Sequence, residues 1–331
     1  MATPHDALFK YTFGTPEHAR GLLQTLLPPA IVAAIDWDSL TLVPASEVDR
    51  DLDQHHADLL YTCTLAGRRV YLHILFEHRS HGGGCLPLDL LRYETRIWEH
   101  QLRTEGRLSP ILPVVVYHGA SGWHAPTDFA HLFDDADLPT DVRAALAPFV
   151  PNFRFVLDDL TRVPPEALRA RAATSLARLS LLCLQRIRAA EDPYAEVERV
   201  ADLVREVRAA QGGHDAIFAV IRYVYAVAHT NQERVRHALR FAGPDIQKTM
   251  TTIEERLLAE GEAKGEAKGE AKGEARGEVK GRIHTLRALL EARFGSLPAE
   301  ALARLTQGTP ADLDRWTRLV LTAPTLRDAL A

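Results

Sequence analysis

Asp58, Glu77 and Arg79 are the residues whose types and spacing point most directly to chemistry. Two carboxylates and one guanidinium gathered on a single face would hold a small hard cation and grip a phosphate beside it. What could gather them is a short β-hairpin. Leu59 to Leu65 and Val70 to Phe76 are rich in β-branched, aromatic and aliphatic residues, and Ala66-Gly67-Arg68-Arg69 between them contains a glycine suited to a tight turn.

With the turn centred between Gly67 and Arg68, Asp58 is expected opposite Glu77, Leu60 opposite Leu75, Thr62 opposite His73 and Thr64 opposite Tyr71. The other face then pairs Leu59 with Phe76, Tyr61 with Ile74, Cys63 with Leu72 and Leu65 with Val70, a wholly apolar set that reads as core. Directly opposed residues have Cβ atoms about 4.5–5.5 Å apart, close enough for two carboxylates to share one cation. Arg79, two residues after Glu77, shares its face. A turn centred one residue away is expected to break both the acid pair and the apolar pairing. The competing reading is a differently registered hairpin with two separate solvated acids, because like charges set opposite each other destabilise a sheet.

These residues resemble the PD-(D/E)XK nuclease superfamily, which carries an Asp at one strand start and Glu-x-Lys on the next. Further motifs narrow the resemblance: His5-Asp6-Ala7-Leu8-Phe9-Lys10 with Phe13, Ala57-Asp58-Leu59-Leu60-Tyr61, Leu75 to Ser80, Leu91-Arg92-Tyr93 with Ile97-Trp98-Glu99, and Leu112 to Gly119. Together, over roughly residues 5 to 240, they look like the recombination-promoting nuclease and putative transposase family, also called YhgA-like. The resemblance implies an α/β restriction-endonuclease-like core and a Mg²⁺-dependent DNA endonuclease, with Mn²⁺ as a substitute metal. It makes Asp58 and Glu77 metal ligands and Asp6 an acid that some superfamily members bring to the metal. Arg79 would contact phosphate or the transition state, and Arg92 would contact DNA. The family's third motif position usually holds Gln or Lys. Arg79 keeps its proton at any relevant pH, so it suits phosphate binding better than activation of water. Asp6 has a plainer reading as a helix N-terminal acid with Lys10 one turn on.

A zinc site is the rival for this region, since His73, His78, His81 and Cys85 lie close together. Yet His73 and His78 differ in strand parity, the spacing across Gly82-Gly83-Gly84 fits no closed four-ligand pattern, and there is no CxxC. His78 reads instead as a histidine packed beside Phe76. The triple glycine reads as a loop near the substrate entrance, because it lacks the context of a nucleotide cradle. Asp49, Asp51 and Asp53 read as a solvated loop.

The elements that must position these residues follow. Pro87 opens a long amphipathic helix through Leu88, Leu91, Ile97, Trp98 and Leu102 that ends near Gly106. Arg92, Arg96, Arg103 and Arg107 are candidate DNA contacts along it. Glu94, Glu99 and Glu105 would balance them on a solvated face, and Arg92 alone is taken as a contact. Ile111 to Tyr117 is a continuous apolar run, a strand buried on both faces, so strand, helix and strand give a mixed sheet flanked by helices. Beyond Phe155 no strand is expected. Glu166 to Ala189, Glu196 to Ala210 and His214 to Arg240 read as a helical half.

Gly261-Glu262-Ala263-Lys264 then repeats through Gly281 with a period of four. On a helix its Glu and Lys stripes fall on nearly opposite sides, and each glycine costs about 1 kcal/mol relative to alanine. It reads either as an oligomerisation rod or as a spacer. Helical spacing returns from Ile283, in a segment that resembles a small helical domain found at the tail of such proteins. The divisions are 1–160 for the nuclease-like core, 161–255 for the helical extension, 256–282 for the repeat and 283–331 for the terminal helical domain.

The 331 residues carry a net charge of -5, with a pI near 6.3, which argues against indiscriminate coating of DNA. Three cysteines at unrelated spacings suit a reduced, cytoplasmic setting. No membrane span is expected. The expected partners are DNA and further copies of the chain, bound through the C-terminal helices. Two other functions fit the same residues: an inactive relative that binds nucleic acid through this scaffold, and an interaction protein working through the repeat and terminal helices.

Overall fold

The computed structural model describes residues 3–44, 59–77, 85–119, 121–133, 137–187, 190–228, 235, 237, 239 and 244–330. Five strands form one sheet in sequence order. They are β1 (Ile35–Val43), β2 (Leu59–Leu65), β3 (Arg68–Glu77), β4 (Ile111–Tyr117) and β5 (Val156–Asp159). The first three are antiparallel, whereas β3, β4 and β5 run parallel, so the sheet is mixed. Helices α1 (Pro4–Phe13), α2 (Pro16–Leu26) and α3 (Pro29–Ala34) precede it, and α4 (Leu86–Glu105) makes the crossover from β3 to β4.

The hairpin register differs from the expected one. Ala66 (φ 47°) and Gly67 (φ 76°) both occupy the left-handed region, which makes a two-residue turn closed by the pair Leu65↔Arg68. Such a turn follows the right-handed twist of its strands, and glycine takes the second position without strain. Its centre is therefore one residue earlier than Gly67–Arg68, and every partner moves by two positions: Leu60 pairs with His73 and Thr62 with Tyr71. A two-position shift preserves the faces, so the expectation that a turn centred one residue away would break the apolar pairing is overturned. Tyr61 still meets an apolar partner, now Leu72, and Cys63 meets Val70. The described ladder ends at Leu59↔Ile74, so Glu77 lies three positions beyond it and is paired on its other side with Tyr117. The expected direct opposition of Asp58 and Glu77 does not follow from this register, and Asp58 itself lies outside the described residues.

Each face of the sheet buries a different helical layer. On one, Leu86 and Leu90 of α4 pack with Leu75, Val115 and Tyr117, while Ile97 and Tyr93 pack with Leu60 and Tyr71. Leu86, Leu90, Glu94, Ile97 and Gln101 are the buried stripe of α4, and Gly106 (φ 67°) terminates it in the left-handed conformation common at helix ends. On the other, the Tyr61 hydroxyl donates to the Phe13 carbonyl of α1 at 2.5 Å.

Two strands were not expected from the sequence. No strand was assigned to Ile35–Val43, although Ile35-Asp36-Trp37-Asp38 and Ser39-Leu40-Thr41-Leu42 each alternate apolar with polar residues; the phase changes between them, and the register is interrupted between Asp36 and Thr41. The expectation that strands stop at Phe155 is overturned by β5, whose Val-Leu-Asp-Asp sequence lacks an apolar signature. Its acids are accommodated by local partners. Asp158 takes two hydrogen bonds of 2.7 Å from Arg171, both side chains buried. Asp159 accepts from the Trp123 backbone N–H at 2.8 Å and from the Thr161 hydroxyl at 2.7 Å.

Between β4 and β5 lies α5 (Thr140–Leu146), and after β5 come α6 (Pro165–Arg169), α7 (Ser175–Arg186), α8 (Pro193–Arg199), α9 (Ala201–Ala209) and α10 (Gly213–Ala228). The segment Glu166–Ala189, read as helical, is shared between α6 and α7, with Thr174 capping α7 by accepting from the Ala177 N–H. Helices α7 and α10 pack on α1, and buried Thr12 and Ser180 hydroxyls bond at 2.7 Å between α1 and α7.

The chain divides into two compact units, Met1–Glu254 and Glu255–Ala331. Helix α11 (Pro244–Phe294) contains the whole repeat, and a Cβ added at any glycine from Gly261 to Gly281 would meet nothing within 4 Å. In the second unit, α12 (Ala299–Gln307), α13 (Pro310–Leu319) and α14 (Leu326–Ala329) close around Leu286, Leu290, Leu305, Leu313 and Trp316. Among the described residues no helix is long and apolar enough to cross a membrane.

Candidate functional site

The three parallel strands end together. Glu77 is in register with Tyr117, and Tyr117 with Asp159, so β3, β4 and β5 share one carboxyl edge. In open α/β sheets the crevice beyond such an edge is where ligands bind. Glu77, fixed by the pairing of its backbone, is the described member of the catalytic trio predicted from sequence; Asp58 and Arg79 lie outside the described residues.

The first turn of α1 reaches the same edge. His118, directly after β4, has its ring 4.7 Å from that of His5, whose Nδ1 lies 3.1 Å from the Tyr223 hydroxyl of α10. Asp6, the next residue, is buried and forms a capping box. Its Oδ2 accepts from the Thr3 N–H at 2.9 Å, and its own N–H donates to the Thr3 hydroxyl at 3.2 Å. The structure thus gives Asp6 the helix N-terminal role and also sets it at the start of a helix anchored beside β4. Gly119 continues this edge. A Cβ there would lie 1.9 Å from the Tyr117 hydroxyl oxygen, which donates to the Ser121 carbonyl, so the ring folds over a position only glycine can occupy.

Arg92 is exposed on α4 and paired with Asp89 at 2.9 Å. Arg107 and Arg69 both pair with Glu105, at 3.5 and 2.5 Å, in keeping with a balanced solvated face. Glu94 does not belong to that face. It is 3% exposed within the stripe that α4 turns toward the sheet, Oε1 has no hydrogen-bond partner among the described residues, and burial pushes its carboxyl up to about 7. Helical periodicity held the signal, since Glu94 follows Leu90 by four residues and precedes Ile97 by three.

His73, a member of the rival zinc set, is 1% exposed and stacks on Tyr93 with ring centroids 4.1 Å apart and 8° between planes. Neither ring nitrogen has a hydrogen-bond partner among the described residues, and burial lowers its pKa to about 3, so the imidazole is neutral. Cys85 is exposed just before α4, while His78 and His81 lie outside the described residues. Among the described residues no group of three His, Cys, Asp or Glu side chains could hold a metal.

A mixed five-stranded sheet flanked by helices, with Glu77 and Asp159 at the carboxyl edge of its parallel strands, defines an α/β protein. Residues 3–214 match the model of the family described as putative transposase, YhgA-like, and the chain belongs to this family. It is 31% identical to the recombination-promoting nuclease RpnD of Escherichia coli O157:H7 over 180 residues, 54% of this chain and 66% of that one. It is 27% identical over 263 residues to the recombination-promoting nuclease RpnA of Escherichia coli K12, covering 79% of this chain and 85% of that protein. A third relative, 26% identical over 78% of this chain and 83% of its own, is the inactive recombination-promoting nuclease-like protein RpnE of the same strain. No solved structure matches the chain.

Proposed function

We propose that this protein is a Mg²⁺-dependent DNA endonuclease with a PD-(D/E)XK-type core that hydrolyses phosphodiester bonds, in the recombination context its relatives' names suggest. The observation that carries the reading is the position of Glu77. It ends a central strand at the carboxyl edge, next to β4, and the first turn of α1 with Asp6 is anchored at that same edge. In this reading Asp58 and Glu77 hold the metal with Asp6 as a further acid. Carboxylate oxygens are the donors a hard cation such as Mg²⁺ or Mn²⁺ prefers. When bound, the metal would neutralise charge on the phosphate and lower the pKa of a water. Arg79 clamps the phosphate and Arg92 contacts the DNA backbone. The C-terminal helices join copies of the chain.

A second reading, an inactive relative that retains DNA binding, is favoured by Arg79 standing where the family usually has Gln or Lys, and by the name of RpnE. Plasmid incubated with Mg²⁺ separates the two. An enzyme cuts, and Asp58→Ala and Glu77→Ala each abolish cutting while gel retardation persists. A binder retards plasmid and never cuts. Arg79→Lys is expected to raise the cutting rate, and no gain would show that Arg79 does not limit it.

A further inference from the structure

Beyond the carboxyl ends of β4 and β5 opens a cleft of about 720 Å³, lined by Gly119, Arg162, Arg186 and Arg199 among others. Gly119 follows β4 by two residues and Arg162 follows β5 by three, so the cleft begins on the same edge as Glu77. Three of its arginines stand over buried carboxylates, while Glu191 and Asp192 line it as exposed acids. The side chains of Arg162, Arg186 and Arg199 are 60, 41 and 63% exposed, whereas the carboxylates they pair with, Asp159 and Glu196, are 8 and 11% exposed. Arg186 holds Glu196 through two hydrogen bonds of 3.0 and 2.9 Å, and Arg199 bonds the same carboxylate. Asp159 is bonded by Trp123 and Thr161 as well as paired with Arg162 at 3.1 Å. The guanidiniums are thus propped from below and presented outward. Asp192 accepts from the Tyr194 N–H at 3.0 Å.

We propose that this cleft is a second contact for the phosphodiester backbone of DNA, made by Arg162, Arg186 and Arg199 to one side of the bond to be cut. The proposal rests on the nuclease reading for the identity of its ligand. A planar guanidinium held by a buried carboxylate keeps outward N–H groups for phosphate oxygens and loses little freedom on binding. From β3 to β5 is two strand spacings, about 10 Å, or about three base steps along a duplex. That places the arginines where the backbone runs after leaving Glu77.

The test is the salt dependence of duplex DNA binding by the full chain, followed by fluorescence anisotropy in EDTA over a series of KCl concentrations. Arg162→Ala/Arg199→Ala is expected to flatten the slope of log K against log salt by about 1.8, since each phosphate contact contributes about 0.9. Arg162→Lys/Arg199→Lys keeps the charges and is expected to keep most of the slope, which separates lost contacts from lost folding. Arg107→Ala/Arg154→Ala removes two cations that precede β4 and β5, at the opposite edge, and should leave the slope unchanged. An unchanged slope in the first double variant, or an equal fall in the last, overturns the proposal. Plasmid cutting with Mg²⁺ is measured alongside. Cutting with an unchanged slope removes the cleft alone, whereas the predicted slope change without cutting removes the endonuclease reading and leaves the cleft standing.

Discussion

Two buried groups in the layer between α4 and the sheet respond to pH in opposite directions, and Glu94→Gln exposes the opposition. Glu94 keeps its proton in the fold up to about 7, while an unfolded chain gives it up at an ordinary value of 4.5. Between these values the unfolded state binds fewer protons, so stability falls as pH rises. His73 stays neutral in the fold down to about 3, while the unfolded chain takes up a proton at 6.5. Between those values the unfolded state binds more protons, so stability rises with pH. From pH 4.5 to 6.5 the two slopes cancel. At about 1.4 kcal/mol per pH unit, each amounts to about 3 kcal/mol over that window. The native chain is therefore expected to show little contribution from this layer, whereas Glu94→Gln should gain about 3 kcal/mol between pH 4.5 and 6.5. The complementary His73→Gln should lose a similar amount. Urea unfolding of the full chain at half-unit pH steps, followed by tryptophan fluorescence, measures this; Trp98 on α4 reports on that layer through its bond to the Ser109 carbonyl. Parallel pH profiles for the native chain and Glu94→Gln would refute the reasoning, because they would mean that Glu94 ionises in the fold as it does in the unfolded chain.

Asp6→Ala removes the capping box of α1 and should cost about 1 kcal/mol in thermal or urea unfolding. If Asp6 also holds the metal, Asp6→Asn should lower cutting and raise the Mg²⁺ concentration needed, while costing less stability than alanine. Gly265→Ala and Gly269→Ala fill open space on a helix and should each stabilise it by about 1 kcal/mol, read as a higher melting temperature by circular dichroism. A fall in melting temperature would indicate that these glycines serve a close approach to another copy of the chain.

The α/β class, the hairpin and the crossover helix were legible from composition and spacing. Leu59 to Leu65 and Val70 to Leu75 are rich in β-branched, aromatic and aliphatic residues, and Gly106 stops the helix. The face of that helix was misread: of Leu88, Leu91, Ile97, Trp98 and Leu102 only Ile97 is buried, and Leu102 is exposed. The register was not legible, because Gly67 serves equally as the first or second residue of a tight turn by composition alone; what decides is that Ala66 accepts positive φ. Strand β5 was hidden because its two aspartates look like loop residues until Arg171, Trp123 and Thr161 arrive from elsewhere to pair them. Glu94 was assigned to the wet face by charge, although its spacing put it on the dry one. The approach of His5 to His118 and Tyr223 spans most of the first unit and has no local signature.

That last contact bears on synthesis of the chain. Strands added in sequence order let each new one join a finished edge as it emerges from the ribosome, with no waiting partner. The opening helix is different: the tyrosine that steadies its first turn is made 218 residues after His5. A nascent or truncated product ending before Tyr223 would hold its sheet while the segment bearing Asp6 stayed loosely seated. The acidic edge would then be completed only when α10 had been translated.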